Sequence, residues 1–206
     1  MLTWEESKAH LALFAVTSSP LFLANDLRPG FVQKRLLGIV ANPTMMEVDQ
    51  AYTNGFAGDR IASEASGKEI WAKPLVGHTT AVVLFNRAGQ TFKCMATSSI
   101  DAPCDDYPNA TSGAQPITLD FAVLAEHADL SPLPPAAELE RLRSVTRGAG
   151  GGGDVACDVV DVYGPHGDSS VPLGRFTGNF TRVIPPHGVA FLLVGNCSVA
   201  KQQGSD

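Results

Sequence analysis

The sequence predicts a mainly β protein, an antiparallel β-sandwich preceded by a short piece of α/β structure. Three observations carry this. From about residue 57 onward, apolar and polar residues alternate with period two in short runs separated by turn-like dipeptides, as strands with one buried face do. Twenty glycines and fourteen prolines suit a chain rich in turns. Residues 21–24, by contrast, form an unbroken apolar run between two helical patterns, the mark of a strand buried on both faces in a parallel sheet. The opening therefore reads as the last piece of an α/β structure whose earlier strands lie outside this sequence.

Taken in order, Thr3 followed by Glu6 fits a capping box, in which hydroxyl and carboxylate satisfy orphan N–H groups at a helix start. Ala9, Leu11, Ala12, Leu13, Phe14 and Val16 then give that helix a broad apolar face, and residues 17–20 end it. After the strand at 21–24, Pro29 stands as a first helical residue, with Phe31, Val32, Leu36, Leu37 and Val40 inward and Gln33, Lys34 and Arg35 outward. Asn42 and Pro43 stop this helix, and residues 44 to about 57 read as a connector. Strands are expected at 60–64, 69–75, 79–86 and 91–97, joined by short Gly-containing turns. A polar loop at 98–115 precedes a strand at 117–121, and the proline- and glycine-rich stretches 130–135 and 148–153 bracket a helical insert at 136–147. Runs at 157–163, 174–184 and 188–195 complete about eight strands, enough to bury the facing sides of two sheets.

Composition narrows the function. An apolar content of 44% with only 17% charged residues describes a globular chain. A net charge of −6 excludes a nucleic-acid partner, which calls for clustered Lys and Arg. No apolar run reaches the roughly 18 residues of a membrane span, so no membrane partner is expected. The N-terminus lacks the basic start of a signal peptide, yet other features point to the secretory pathway. Asn109, Asn179 and Asn196 each open an Asn-x-Ser/Thr acceptor pattern. Cys94, Cys104, Cys157 and Cys197 are an even set suited to two disulfides. A bridge from Cys94 to Cys104 closes a polar loop, and Cys157 and Cys197 open and close the last sheet segment, but all three connectivities remain open.

Two stretches resemble glycoside hydrolase family 27, the α-galactosidases and α-N-acetylgalactosaminidases. The first runs Leu2-Thr-Trp-Glu-Glu-Ser-Lys-Ala-His10 and on through Ala15-Val-Thr-Ser-Ser-Pro-Leu-Phe-Leu-Ala-Asn-Asp-Leu-Arg28. It resembles the last helix and eighth strand of the family's (β/α)₈ barrel. The second runs Leu173-Gly-Arg-Phe-Thr-Gly-Asn-Phe-Thr-Arg-Val-Ile-Pro-Pro-His-Gly-Val-Ala-Phe-Leu-Leu193. It is similar to the closing hairpin of the family's C-terminal β-sandwich. Val48-Asp49-Gln50, Trp71-Ala-Lys-Pro-Leu75 and Val82-Val-Leu-Phe-Asn-Arg87 match between them. The resemblance implies a barrel remnant at 1–56, a sandwich at 57–198 with insertions near 98–116 and 131–155, and a tail at 199–206.

It also implies a parent enzyme that removes terminal α-linked galactose, or its N-acetyl form, with retention and without cofactor. Retaining hydrolysis needs two carboxylates roughly 5 Å apart. The family's nucleophile motif, an Asp flanked by Lys and Cys, has no counterpart here, nor does its Trp-Asn-Asp-Pro-Asp-Met run. No catalytic, substrate-binding or metal residue can therefore be assigned, and the chain is expected to be inactive alone. A non-catalytic β-sandwich that binds carbohydrate or protein is the alternative, and the sequence leaves a homodimer open.

The remaining polar residues have bland readings. Asp26, near the end of the expected barrel strand, reads as a helix cap or a partner of Arg28 rather than a catalytic group. Asp105 with Asp106, and Asp158 with Asp161, read as solvated surface. His10, His78, His127, His166 and His187 show no metal-ligand spacing. His187 reads as a turn residue bonded to nearby backbone, and Trp71 as core.

Overall fold

The structure, a computed structural model, describes residues 2–22, 34–51, 57–89, 113–126 and 155–199. Its elements are α1 (Trp4–Val16), α2 (Lys34–Val40), α3 (Pro43–Gln50), β1 (Asp59–Ser63), β2 (Lys68–Leu75), β3 (Thr79–Asn86), β4 (Gln115–Asp120), α4 (Phe121–Glu126), β5 (Val155–Asp161), β6 (Val171–Thr177), β7 (Asn179–Ile184) and β8 (Val189–Val199). Strands predominate and every pairing between them is antiparallel, as the alternating pattern predicts. A six-stranded sheet has the order β1-β2-β3-β8-β5-β6, and β4 pairs with β7 in a second, two-stranded sheet.

Each sheet face has its own core. Between the two sheets, Val82, Leu84, Ile117, Leu119, Phe121, Val159, Ile184 and Leu192 pack together. On the other face, Ala9, Ala12, Ala15, Val16, Ile39, Met45 and Val48 of the helices meet Ala81, Val83 and Phe191. The central strands β3 and β8 are thus buried on both sides, and Ala81, Val82, Val83 and Leu84 are all inaccessible to solvent. Their continuous apolar run follows from this three-layer arrangement, since neither face of the strand meets water.

The helix start at Thr3 forms as expected: the Glu6 N–H donates to Thr3 Oγ1 at 3.1 Å and the Thr3 N–H donates to Glu6 Oε2 at 2.8 Å. The expected connector after residue 43 is instead the helix α3. Asn42 is its N-cap and Pro43 its first residue, so a pair that stops one helix also starts the next. Asn42 is fully buried, because its Nδ2 also donates to the carbonyls of Val162 and Gly167, both at 2.9 Å. In α2 Ile39 is fully buried and Leu36 packs against the helix-side core, whereas Leu37 is 44% exposed, contrary to expectation.

The strand expected at 21–24 is not formed at Leu21 and Phe22, and residues 23 and 24 lie outside the described residues. A strand buried on both faces needs a neighbour at each edge, and none pairs with it among the described residues. Phe22 is 87% exposed. The expected strand at 174–184 is two strands in different sheets, divided at Gly178, whose φ of 76° lets the chain cross between layers. Phe121 opens α4 rather than ending a strand. The strand at 91–97, the loop at 98–112 and the helix at 136–147 lie outside the described residues.

Cys157 of β5 and Cys197 of β8 form a disulfide, which selects one of the open pairings. Cys94 and Cys104 lie outside the described residues. Because the bridge spans 40 residues, its loss frees a long loop in the unfolded chain. Replacing both cysteines with alanine is expected to cost about 3 kcal/mol, read as a lowered midpoint of urea unfolding.

Candidate functional site

The most concentrated polar chemistry lies where α1 and α3 end against the sheet. Lys73 of β2 shares strand parity with Trp71 and Leu75, both packed in the helix-side core, and its side chain is fully buried. Its ammonium donates to Ser18 Oγ at 2.6 Å, to the Asp49 carbonyl at 3.2 Å, to the Ala15 carbonyl at 3.4 Å and, closest of all, to the Val48 carbonyl. These carbonyls belong to the last turns of two helices, whose C-terminal ends carry partial negative charge. Burial pushes the Lys73 amine below its usual range, against the pull of the Asp49 carboxylate. Burial likewise pushes the Asp49 carboxyl up, against Lys73, and its Oδ1 is buried with no hydrogen-bond partner. Gly58 completes the joint: its N–H donates to the Val16 carbonyl at 2.8 Å, and a Cβ there would stand 2.3 Å from that oxygen.

A second cluster ties the first helix to the last hairpin. His187 adopts a φ of 55° in its turn, and its Nδ1 lies 3.1 Å from Glu6 Oε1. Burial alone would raise the Glu6 carboxyl; the Thr3 N–H, His187 and the Thr3 hydroxyl outweigh it and hold the group below the usual carboxylate range. The two residues border an open depression of about 610 Å³, lined also by Ala9, Leu13, Phe85 and Arg87.

Asp158 and Asp161, paired in the sequence, each meet an arginine. Asp161 is 6% exposed, not solvated: its Oδ2 accepts from Arg182 at 2.6 Å, and its Oδ1 accepts the Tyr163 and Gly164 N–H groups at 3.1 and 3.2 Å. Asp158 is half-buried, and the Asn196 amide and Arg175 guanidinium hold its carboxyl below the usual range. Trp71 packs against the helix-side core, half-buried, and its Nε1 donates to Glu69 at 3.0 Å. Among the described residues, no group of three His, Cys, Asp or Glu side chains could hold a metal ion, and no helix is long and apolar enough to cross a membrane. Asn25, Asp26, Asp105, Asp106, Asn109 and His127 lie outside the described residues. What the described residues assemble is therefore a set of polar joints between layers, in which Glu6, Asp158 and Asp161 are engaged by cations, imidazole or N–H groups and Asp49 Oδ1 is left without a hydrogen bond.

No protein-family model matches the chain. It is 34% identical to the α-N-acetylgalactosaminidase of Homo sapiens over 85 residues, 41% of this chain and 20% of that protein. It is 30% identical to an α-galactosidase of Oryza sativa subsp. japonica over 93 residues, 45% of this chain and 21% of that protein. The chain thus spans about a fifth of the length of the curated relatives it matches. Among solved structures, α-galactosidase I from Mortierella vinacea superposes with a TM-score of 0.64 at 18% identity, over 97% of this chain and 38% of that one. A GH27 β-L-arabinopyranosidase from Geobacillus stearothermophilus gives a TM-score of 0.58 at 14% identity, over 100% of this chain and 32% of that one. The resemblance to family 27 is thus found in sequence over about two-fifths of the chain and in fold over nearly all of it, and the partial coverage fits a C-terminal part of such proteins.

Two predictions follow from the joints. Lys73→Met leaves buried carbonyl acceptors without a donor and is expected to destabilise the chain by about 3 kcal/mol in urea unfolding. For Glu6, a depressed folded pKa means stability that is present above the ordinary Glu value of about 4.3 and lost as pH falls through the folded value. Glu6→Gln keeps the capping box, so its unfolding midpoint is expected to fall less steeply than the parent's on acidification.

Proposed function

We propose that this chain is the C-terminal part of an α-galactosidase-like retaining glycoside hydrolase, comprising the end of its (β/α)₈ barrel and the β-sandwich that follows. The observation that carries this reading is the sequence match to α-galactosidases and α-N-acetylgalactosaminidases together with a fold that superposes over nearly the whole chain. Apolar side chains on the helical layer support it: Leu2 is 50% exposed, Leu37 44% and Phe22 87%. Residues 1–56 are then the barrel's closing elements and 57–198 the sandwich. The missing barrel strands cover those apolar groups in the parent.

In the parent, one carboxylate attacks the anomeric carbon of a terminal α-galactoside, or its N-acetyl form, and a second protonates the leaving oxygen. Neither group belongs to this chain, whose contribution is to brace the barrel's end through the Lys73 and Glu6–His187 joints. We further propose a secretory compartment, supported by the Cys157–Cys197 disulfide, since structural disulfides persist in oxidising surroundings.

The purified chain is expected to release no chromogenic leaving group from an α-galactoside and to bind an apolar fluorescent dye, with less dye bound by Phe22→Ser. Enzyme-dependent release sinks the assignment of catalysis to residues outside this chain. Absence of dye binding sinks the exposed barrel face.

A further inference from the structure

The structure describes two of the three Asn-x-Ser/Thr patterns, and their settings differ. Asn179 is the first residue of β7, directly after the crossover at Gly178, and its side chain is exposed. Exposure alternates along this strand, so that Asn179, Thr181 and Val183 face outward while Phe180 and Ile184 are buried. Opposite them on β4 stand Asp120, Thr118 and Pro116. The Thr118 and Thr181 hydroxyls bond at 2.8 Å, and Val183 is 64% exposed. The Asn179 amide makes no hydrogen bond among the described residues.

Asn196 has a different environment. Its φ is 49°, its Nδ2 donates to Asp158 Oδ2 at 3.0 Å, and its carbonyl accepts from Arg175 Nη1 at 3.0 Å. The middle residue of its pattern, Cys197, is in the disulfide. The last, Ser198, accepts from Arg175 Nη2 at 2.6 Å, and Arg175 also pairs with Asp158 at 2.9 Å. Every position of this pattern is committed to the joint between β5, β6 and β8, and a glycan there crowds the pairing of Asp158 with Arg175.

We propose that Asn179 is the N-glycosylation site within the final sheet segment and that Asn196 stays unmodified. This rests on the secretory reading given above. In the transfer, the Asn179 amide nitrogen attacks C1 of an oligosaccharide carried on a lipid pyrophosphate. The new N–C1 bond forms, the C1–O bond to phosphate breaks, the lipid pyrophosphate leaves and the amide gives up one proton. The glycan then lies on the outer face of the β4–β7 sheet, beside the threonine pair and the exposed Val183.

The test is a peptide map of the whole chain secreted from a eukaryotic host behind an added leader. Enzymatic release of N-glycans converts each modified Asn to Asp, which reports each site separately. The expected map shows conversion at position 179 and none at 196. Asn179→Gln is expected to abolish the glycan on this segment, and Asn196→Gln to retain it. Modification at Asn196, or an unmodified Asn179, overturns the proposal, and the unsubstituted chain alone decides this if a variant fails to fold. The added leader separates the site from the native compartment. That compartment is tested independently by the state of Cys157 and Cys197 in chain recovered from its source cells, where free thiols would defeat the secretory reading and leave the site map standing.

Discussion

One buried ammonium group holds the layers of this protein in register. Lys73 reaches from the second strand into the gap where two helices end, and its charge meets the carbonyls of their last turns. A lysine without solvent pays a large desolvation cost, which only several close acceptors can offset. The chain offsets it with convergent helix ends instead of a salt bridge of ideal geometry. This fixes where α1 stops, where α3 stops and how closely both approach the sheet. Gly58 belongs to the same joint, since any side chain there would force α1 away from the strand edge.

Much of the fold was legible in the sequence. Period-two alternation located most strands to within a residue or two, and residues 79–86 match β3 at both ends. The capping box at Thr3 and the candidate pairing of Cys157 with Cys197 were equally readable. The failures have physical causes. Asn42 and Pro43 end one apolar pattern and so look like a stop, although the same pair is a good helix start. Gly178 sat inside an apparently continuous strand pattern, and its positive φ sends the two halves to different sheets.

The polar joints were less legible, because each depends on partners distant in sequence. Glu6 and His187 are 181 residues apart. Asp161 has a surface-like sequence setting, yet Arg182 and two backbone N–H groups surround its carboxylate. Lys73 did leave a signal: a charged residue at the same parity as Trp71 and Leu75 must face inward with them. Residue type points the other way, because a lysine is seldom fully buried.

The double-sided burial of β3 and β8 has a consequence for how this architecture can be inherited or moved. Composition suggests a seam between residues 56 and 57, where helical patterns give way to strands. Packing runs across that point, because Ala81, Val83 and Phe191 lie in one core with the buried residues of the helices, Tyr163 adding its ring to that of Phe191. A gene fusion, exon boundary or domain graft that began at β1 would carry a sheet with one bare apolar face. The smallest unit that can change genetic context with its central sheet covered therefore begins at α1, on the far side of the boundary that hydrophobic pattern draws.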